Sequence, residues 1–330
     1  MVNKYLYITD CEGPVTRNDN AYEIANHFLE EGGRLFSLLS VFDDYLGLFG
    51  NIENYRYGST LRYVIPFLKA KGLTDEMLRN YSRNTIIVTP GIKQALNRIK
   101  NLMDVHMIST SYEHYIDEVI RYLQLEPKNV YCTRMSLDAY DLKPEEKHVI
   151  EEYMRKISTM APITWNEKGE LLPDAYKTVK LLREFFFDVL LRLPIGSFLE
   201  TIIPIGGREK AKILMEIVER NNIPYENVIY VGDSITDTEA FQFLKDKGGL
   251  TISFNGNRYA ISNAEYVIIS ETAEVLSEVA EKYRTYGKYG LELIKGDART
   301  IVTKRRDSDI IDSSEKMRRA LRGEAIGALG

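Results

Sequence analysis

The feature that most constrains this chain is an apolar run that stops at a Gly-Asp pair. Residues 228–232 read Val-Ile-Tyr-Val-Gly, and Asp233-Ser234-Ile235-Thr236-Asp237 lead from it into a helical pattern. Such a run reads as a buried strand, and open α/β sheets hold their ligands at the carboxyl ends of strands. A second run, Tyr5-Leu6-Tyr7-Ile8-Thr9, ends as abruptly in Asp10-Cys11-Glu12-Gly13-Pro14. Two acidic strand ends far apart in sequence point to one shared metal site.

The chain has 330 residues, more than one core usually needs, so a main domain with insertions is the natural expectation. The formal charge of −5 argues against a nucleic-acid partner. Cys11 and Cys132 are the only cysteines, too few for a disulfide framework, and free thiols in a reducing cytoplasm are expected. The first strand-like run is not preceded by a signal-like apolar segment. The apolar stretch 185–205 is interrupted by Asp188, Arg192 and Glu200, which are costly in a bilayer. The expectation is a soluble, cytoplasmic protein without membrane insertion.

The rest of the chain alternates helical and strand patterns with two interruptions. Residues 18–85 place Ile24, Phe28, Leu35, Leu38, Leu39, Phe42, Leu46 and Phe49 at roughly helical spacing, as in a helical insertion after the first strand. Thr89-Pro90-Gly91 opens a helix carrying Ile92, Leu96 and Ile99, followed by a short strand at 105–108 that ends in Ser109-Thr110-Ser111. A helix at 115–123 and a strand at 129–132 come next. Residues 137–199 break the rhythm with charged helical segments, a second helical insertion. The alternation resumes with a helix at 209–221 and strands at 227–231, 250–254 and 265–269. The fold class is therefore α/β with a Rossmann-like parallel sheet, its core formed by residues 1–17, 86–136 and 200–283. Residues 284–330, with Lys304-Arg305-Arg306 and a helix after Asp312-Ser313-Ser314-Glu315, have no evident place in the sheet and read as a solvated tail or an oligomer contact.

Four elements at strand ends or helix starts occur in order: Asp10-Cys11-Glu12-Gly13, Ser109, Lys210, and Gly232-Asp233-Ser234-Ile235-Thr236-Asp237. Together they resemble the haloacid-dehalogenase-like superfamily of phosphohydrolases, and the spacing of Lys210 before Asp233 resembles its phosphoserine-phosphatase branch. The resemblance implies Asp10 as nucleophile, Glu12 as acid and base, Ser109, Thr110 and Lys210 as phosphate-binding groups, and Mg2+ held by Asp10, the Glu12 carbonyl, Asp233 and Asp237. It implies a phosphatase that forms an aspartyl-phosphate on a small phosphorylated metabolite, with residues 18–85 as a helical cap that reads the leaving group. Asp19 matches the acidic cap position that holds an amino group, and Arg56 or Arg62 is available to pair with a carboxylate. The family's usual second aspartate is replaced by Glu12, and Pro14 removes a backbone donor beside the site.

The residue types make chemical sense without the family. A carboxylate attacks a phosphate only if cations shield one anion from the other, and hard divalent ions favour oxygen ligands. Lys212 lies near the start of the same helix as Lys210 and is its rival. The four histidines, His27, His106, His114 and His148, show no metal-ligand spacing. Two other readings remain open. One is a carbon–phosphorus or carbon–halogen hydrolase on the same scaffold, against which Glu12 argues. The other is a non-catalytic interaction subunit, such as an accessory subunit of an archaeal hydrogenase complex, in which the second insertion or the tail contacts a protein partner or a second copy.

Overall fold

The computed structural model describes residues 4–53, 55–296 and 299–329. Its sheet has seven strands in the order β3-β2-β1-β4-β5-β6-β7. They are β1 (Leu6–Thr9), β2 (Asp104–Tyr112), β3 (Val130–Thr133), β4 (Val228–Gly232), β5 (Leu250–Phe254), β6 (Tyr266–Ser270) and β7 (Thr300–Thr303). β1 through β6 are parallel, with Leu6 opposite Asp104 on one side and Val228 on the other. The chain builds outward from β1 to β3, then returns to β4 and builds the other way. The reversal leaves a crevice between the carboxyl ends of β1 and β4.

Between β1 and β2 lie α1 (Asn20–Phe28), α2 (Gly32–Phe49), α3 (Thr60–Ala70), α4 (Asp75–Thr85) and α5 (Ile92–Lys100), and α6 (Glu113–Leu123) joins β2 to β3. Between β3 and β4 come α7 (Pro144–Ser158), α8 (Pro173–Glu184), α9 (Phe198–Thr201) and α10 (Arg208–Asn221). α11 (Thr238–Asp246) and α12 (Arg258–Asn263) flank β5, α13 (Glu274–Tyr286) follows β6, and α14 (Ser308–Arg322) and α15 (Glu324–Gly327) follow β7. Strand alternation sorts the two faces of the sheet. Tyr7, Ile229 and Val231 pack with α5, α6 and α13, while Leu6, Ile8, Val228 and Tyr230 pack with α10, α11 and α12.

The two insertions share one core. Phe42 and Phe67 from the first meet Phe186 and Phe185 from the second at ring-centroid distances of 6.4 and 5.5 Å, and Tyr63 lies 4.5 Å from Phe186. Arg34 of α2 also donates to the Ser158 carbonyl at 2.6 Å. Together they make a single helical body facing the carboxyl ends of the strands.

Two expectations need correction. Residues 284–330 do have a place in the sheet. β7 pairs antiparallel with β6, Ile269 opposite Ile301, and α14 packs Ile310 against Ile261, Val267 and Ile269. A four-residue, half-exposed edge strand gives too short an apolar pattern to register in sequence. β2 also continues to Tyr112 rather than stopping at Ile108, because Tyr112 still pairs with Thr133 across a register shift. Cys11 and Cys132 are free, and among the described residues no helix is long and apolar enough to cross a membrane.

Candidate active site

The end of β1 and the end of β4 are tied together by the Asp10 N–H, which donates to the Val231 carbonyl at 2.8 Å. One Asp10 oxygen, Oδ1, accepts from the Cys11 N–H at 2.6 Å, and the other, Oδ2, from Lys210 Nζ at 2.5 Å. Lys210 stands in the first turn of α10, fully buried, and its ammonium also donates to Asp237 Oδ1 at 2.7 Å. Lys212 is exposed, so the geometry separates the two lysines. Asp237 is held from every side: Oδ1 accepts from the Tyr230 hydroxyl at 2.7 Å, and Oδ2 from the Asp233 and Ser234 N–H groups at 2.9 and 3.1 Å. Asp10, Asp233 and Asp237 bring carboxylate oxygens within 4.8 Å of one another.

Two glycines permit this closeness. Gly13 has φ +95°, and a Cβ there would collide with the Asp233 carboxylate. A Cβ at Gly232 would meet the Asp237 carboxyl group.

Asp233 has partners from far along the chain. Arg318 and Arg322 of α14 both direct Nη1 to Asp233 Oδ2, the Arg322 contact at 3.1 Å. The remaining donors of the two guanidinium groups go to backbone carbonyls. Arg318 reaches Gly327 and Leu329 at 3.2 and 3.3 Å, and Arg322 reaches Arg17 and Asn18 at 3.2 and 2.8 Å. Their side chains are 3% and 6% exposed, so both charges sit inside the protein.

Above these groups lies a cavity of about 90 Å³, lined by Asp10, Glu12, Asp19, Thr110, Ser111, Asp233, Arg318 and Arg322 below, and by Phe36, Asp43, Asp44, Thr60 and Leu61 of the helical body above. Glu12 Oε1 accepts from the Asn20 N–H at 2.8 Å. Asp19 caps α1 by accepting from Tyr22 N–H at 3.0 Å. The Thr110 hydroxyl donates to the Ile205 carbonyl at 2.8 Å. Ser109 is buried, its hydroxyl accepting from the Ser111 N–H at 3.1 Å. Ser109, Arg56 and Arg62 are not among the described residues that line the cavity. Arg56 leans toward Glu209 at 3.9 Å, and Arg62 donates to the Leu199 carbonyl and to Ser59. Asp43 is consumed structurally, accepting from Tyr55, the Thr60 N–H and the Thr60 hydroxyl.

Negative charge is in excess. Burial pushes Asp10 up to about 7; Lys210 opposes this and the neighbouring Asp237 and Asp233 add to it. Burial and the Asp19 carboxylate push Glu12 up to about 8, against the pull of Arg322 and the Asn20 N–H. Asp19 is raised by burial despite Arg322. Lys210 is pulled down by burial, but Asp10 and Asp237 outweigh this and leave its pKa raised, so it stays protonated. Among the described residues of this cluster, five carboxyl groups (Asp10, Glu12, Asp19, Asp233, Asp237) face three cations (Lys210, Arg318, Arg322), which leaves two negative charges uncompensated when all five are ionised.

No protein-family model and no curated protein matches the sequence. Solved structures do. A gene product of Archaeoglobus fulgidus matches with TM-score 0.87 at 27% identity, over 99% of each chain. A substrate-bound phosphoserine phosphatase complex matches with TM-score 0.50 at 16% identity, over 84% of this chain and 98% of that one. The chain shares the fold of that phosphoserine phosphatase. A phosphoserine phosphohydrolase-like protein from Francisella tularensis gives TM-score 0.46 at 14% identity, over 83% and 98% of the two chains.

Three residues of this site carry no distinguishing signal in the sequence: Arg318, Arg322 and Ser111. The two arginines are four residues apart, on one face of α14. That spacing was visible, yet it is equally the signature of a solvated basic face, and nothing local marks the carboxylate they meet.

Proposed function

We propose that this protein is a Mg2+-dependent phosphatase that hydrolyses a small phosphate monoester, with Asp10 as nucleophile and Glu12 as acid and base. The observation that carries the reading is the buried Asp10–Lys210–Asp237 chain of ion pairs beside Asp233, at the crevice between β1 and β4. Burying so many charges is costly, and perturbed ionisable clusters in clefts are where catalysis is found. That cost also favours a working enzyme over an interaction subunit that merely keeps the fold.

The donor set fits a divalent cation. The available ligands are hard oxygens from Asp10, the Glu12 carbonyl and Asp233, and the cluster lacks two positive charges. Asp237, each of whose oxygens already accepts at least two donors where those of Asp10 accept one, orients the Asp233 backbone and Lys210 rather than serving as a direct ligand. A bound cation would supply the shielding that lets one anion approach another.

Asp10 attacks phosphorus, the ester P–O bond breaks, and Glu12 gives its proton to the leaving oxygen. A pKa near 8 keeps Glu12 protonated for that step at neutral pH. Water then attacks the aspartyl-phosphate while Glu12 takes its proton, freeing Asp10 and inorganic phosphate. Lys210 and the residues around Thr110 neutralise and orient the phosphoryl oxygens. The cavity of about 90 Å³ is smaller than the roughly 150 Å³ that holds a benzene-sized ligand. A phosphoryl group is small enough for it, and the helical body that forms its upper wall is placed to meet the leaving group, as a cap does. The test is phosphate release from a panel of phosphorylated metabolites, with Mg2+ and with chelator. Release that requires Mg2+ supports the reading, and no release across a broad panel overturns it.

A further inference from the structure

The phosphatase reading leaves an electrostatic difficulty: its substrate is a dianion, and the cavity it enters is lined by Asp10, Glu12, Asp19 and Asp233, with Asp43 and Asp44 above. Lys210 is already shared between Asp10 and Asp237. One divalent cation brings the fully ionised five-carboxylate cluster to neutrality only because Arg318 and Arg322 are counted in it. Without them the same cation would leave two negative charges, and a phosphate would be repelled at short range through a medium of low dielectric constant.

We infer that Arg318 and Arg322 are charge-balancing positioning residues that make the site receptive to a phosphate dianion, acting through Asp233 rather than touching the substrate. The inference rests on the phosphatase reading. Three observations carry it. Both guanidinium groups converge on one oxygen of Asp233, Oδ2. Their other donors are tied to the carbonyls of Gly327 and Leu329, and of Arg17 and Asn18, so the charges are fixed in place. Both side chains are buried, where a charge acts at full strength. Displacement of the arginines by an arriving cation would break all of these hydrogen bonds and leave the two-charge deficit unrelieved, so cation and arginines act together. The segment after β7 is thereby part of the site, and Arg322 links it to Arg17 and Asn18, the point where the chain leaves the nucleophile loop for the helical body.

The test is calorimetric binding of inorganic phosphate to the full chain at saturating Mg2+, with folding checked by thermal melting. The variants are Arg322→Met, Arg322→Lys and the double variant Arg322→Met/Asp19→Asn. Asparagine keeps the cap of α1 while removing a negative charge beside Arg322. Expected are phosphate affinity weakened about tenfold or more in Arg322→Met, a much smaller loss in Arg322→Lys, and recovery of most of the loss in the double variant. A merely structural contact would not be rescued by Asp19→Asn. Wild-type affinity in Arg322→Met, or a loss that Asp19→Asn does not recover, overturns the inference and leaves the phosphatase reading standing. Failure of the wild type to bind phosphate at any Mg2+ concentration removes that reading, and the inference with it.

Discussion

The two sides of the site are built differently. Asp10, Lys210 and Asp237 are held by groups within a few residues of β1, β4 and α10, among them the Cys11, Asp233 and Ser234 N–H groups and the Tyr230 hydroxyl. Asp233 depends on two arginines 85 and 89 residues further along the chain. The strand-end side is thus built on the parallel sheet itself, from the ends of β1 and β4 and the start of α10, and is rigid because the sheet is rigid. The other side exists only once α14 has docked, which couples the site to the C-terminal segment and to the chain at Arg17–Asn18, where it enters the helical body.

The largest expected effect is on the strand-end side. Lys210→Met leaves Asp10 and Asp237 buried without their shared cation, and a loss of about 3–5 kcal/mol in unfolding free energy is expected by urea titration. An unchanged midpoint would mean that the strand-end side does not depend on this ion pair. Phe185→Ala removes an aromatic at the junction of the two insertions, where it meets Phe67, Phe186 and Tyr153. A similar loss, about 3–5 kcal/mol, is expected. If hydrogen exchange shows it confined to the helical body, body and sheet are separate cooperative units; if protection falls in β1 and β4 as well, they are one.

Gly13→Ala should be milder in stability, about 1–3 kcal/mol from the positive φ. The same change should push the Asp233 carboxylate aside, and the sharper readout is weakened Mn2+ binding, followed by the signal of the free ion. Of similar size is a pH effect confined to the sheet. Burial pulls His106 on β2 down to about 4, and its Nδ1 has no hydrogen-bond partner among the described residues. The folded protein therefore binds fewer protons than the unfolded chain between about pH 4 and 6.5, so stability falls as pH is lowered through that window, by about 2–3 kcal/mol at most. His106→Asn should flatten that slope.

The same contrast explains what the sequence made legible. Residues 228–232 and the run before Asp10 announce buried strands because each is wholly apolar and ends in a carboxylate, and the nearby Gly13 and Gly232 fit the tight approach those carboxylates need. Lys210 was separable from Lys212 only by the burial of its helix face. Arg318 and Arg322 were hidden because a basic i, i+4 pair reads as solvated until its distant carboxylate is known. The union of residues 18–85 and 137–199 in one core was equally hidden, since helical periodicity reports that a face is buried and not against what. β7 gave no signal because an edge strand of four half-exposed residues has no pattern to show.

The central claim is that Asp10 attacks phosphorus. The direct measurement is peptide mass spectrometry after acid quench, on Glu12→Gln incubated with Mg2+ and a turned-over phosphomonoester, since loss of the base slows hydrolysis of the aspartyl-phosphate. A phosphoryl group on the peptide containing Asp10, absent in Asp10→Asn, is the predicted result. Phosphate release that survives in Asp10→Asn, with no label at Asp10, would contradict it.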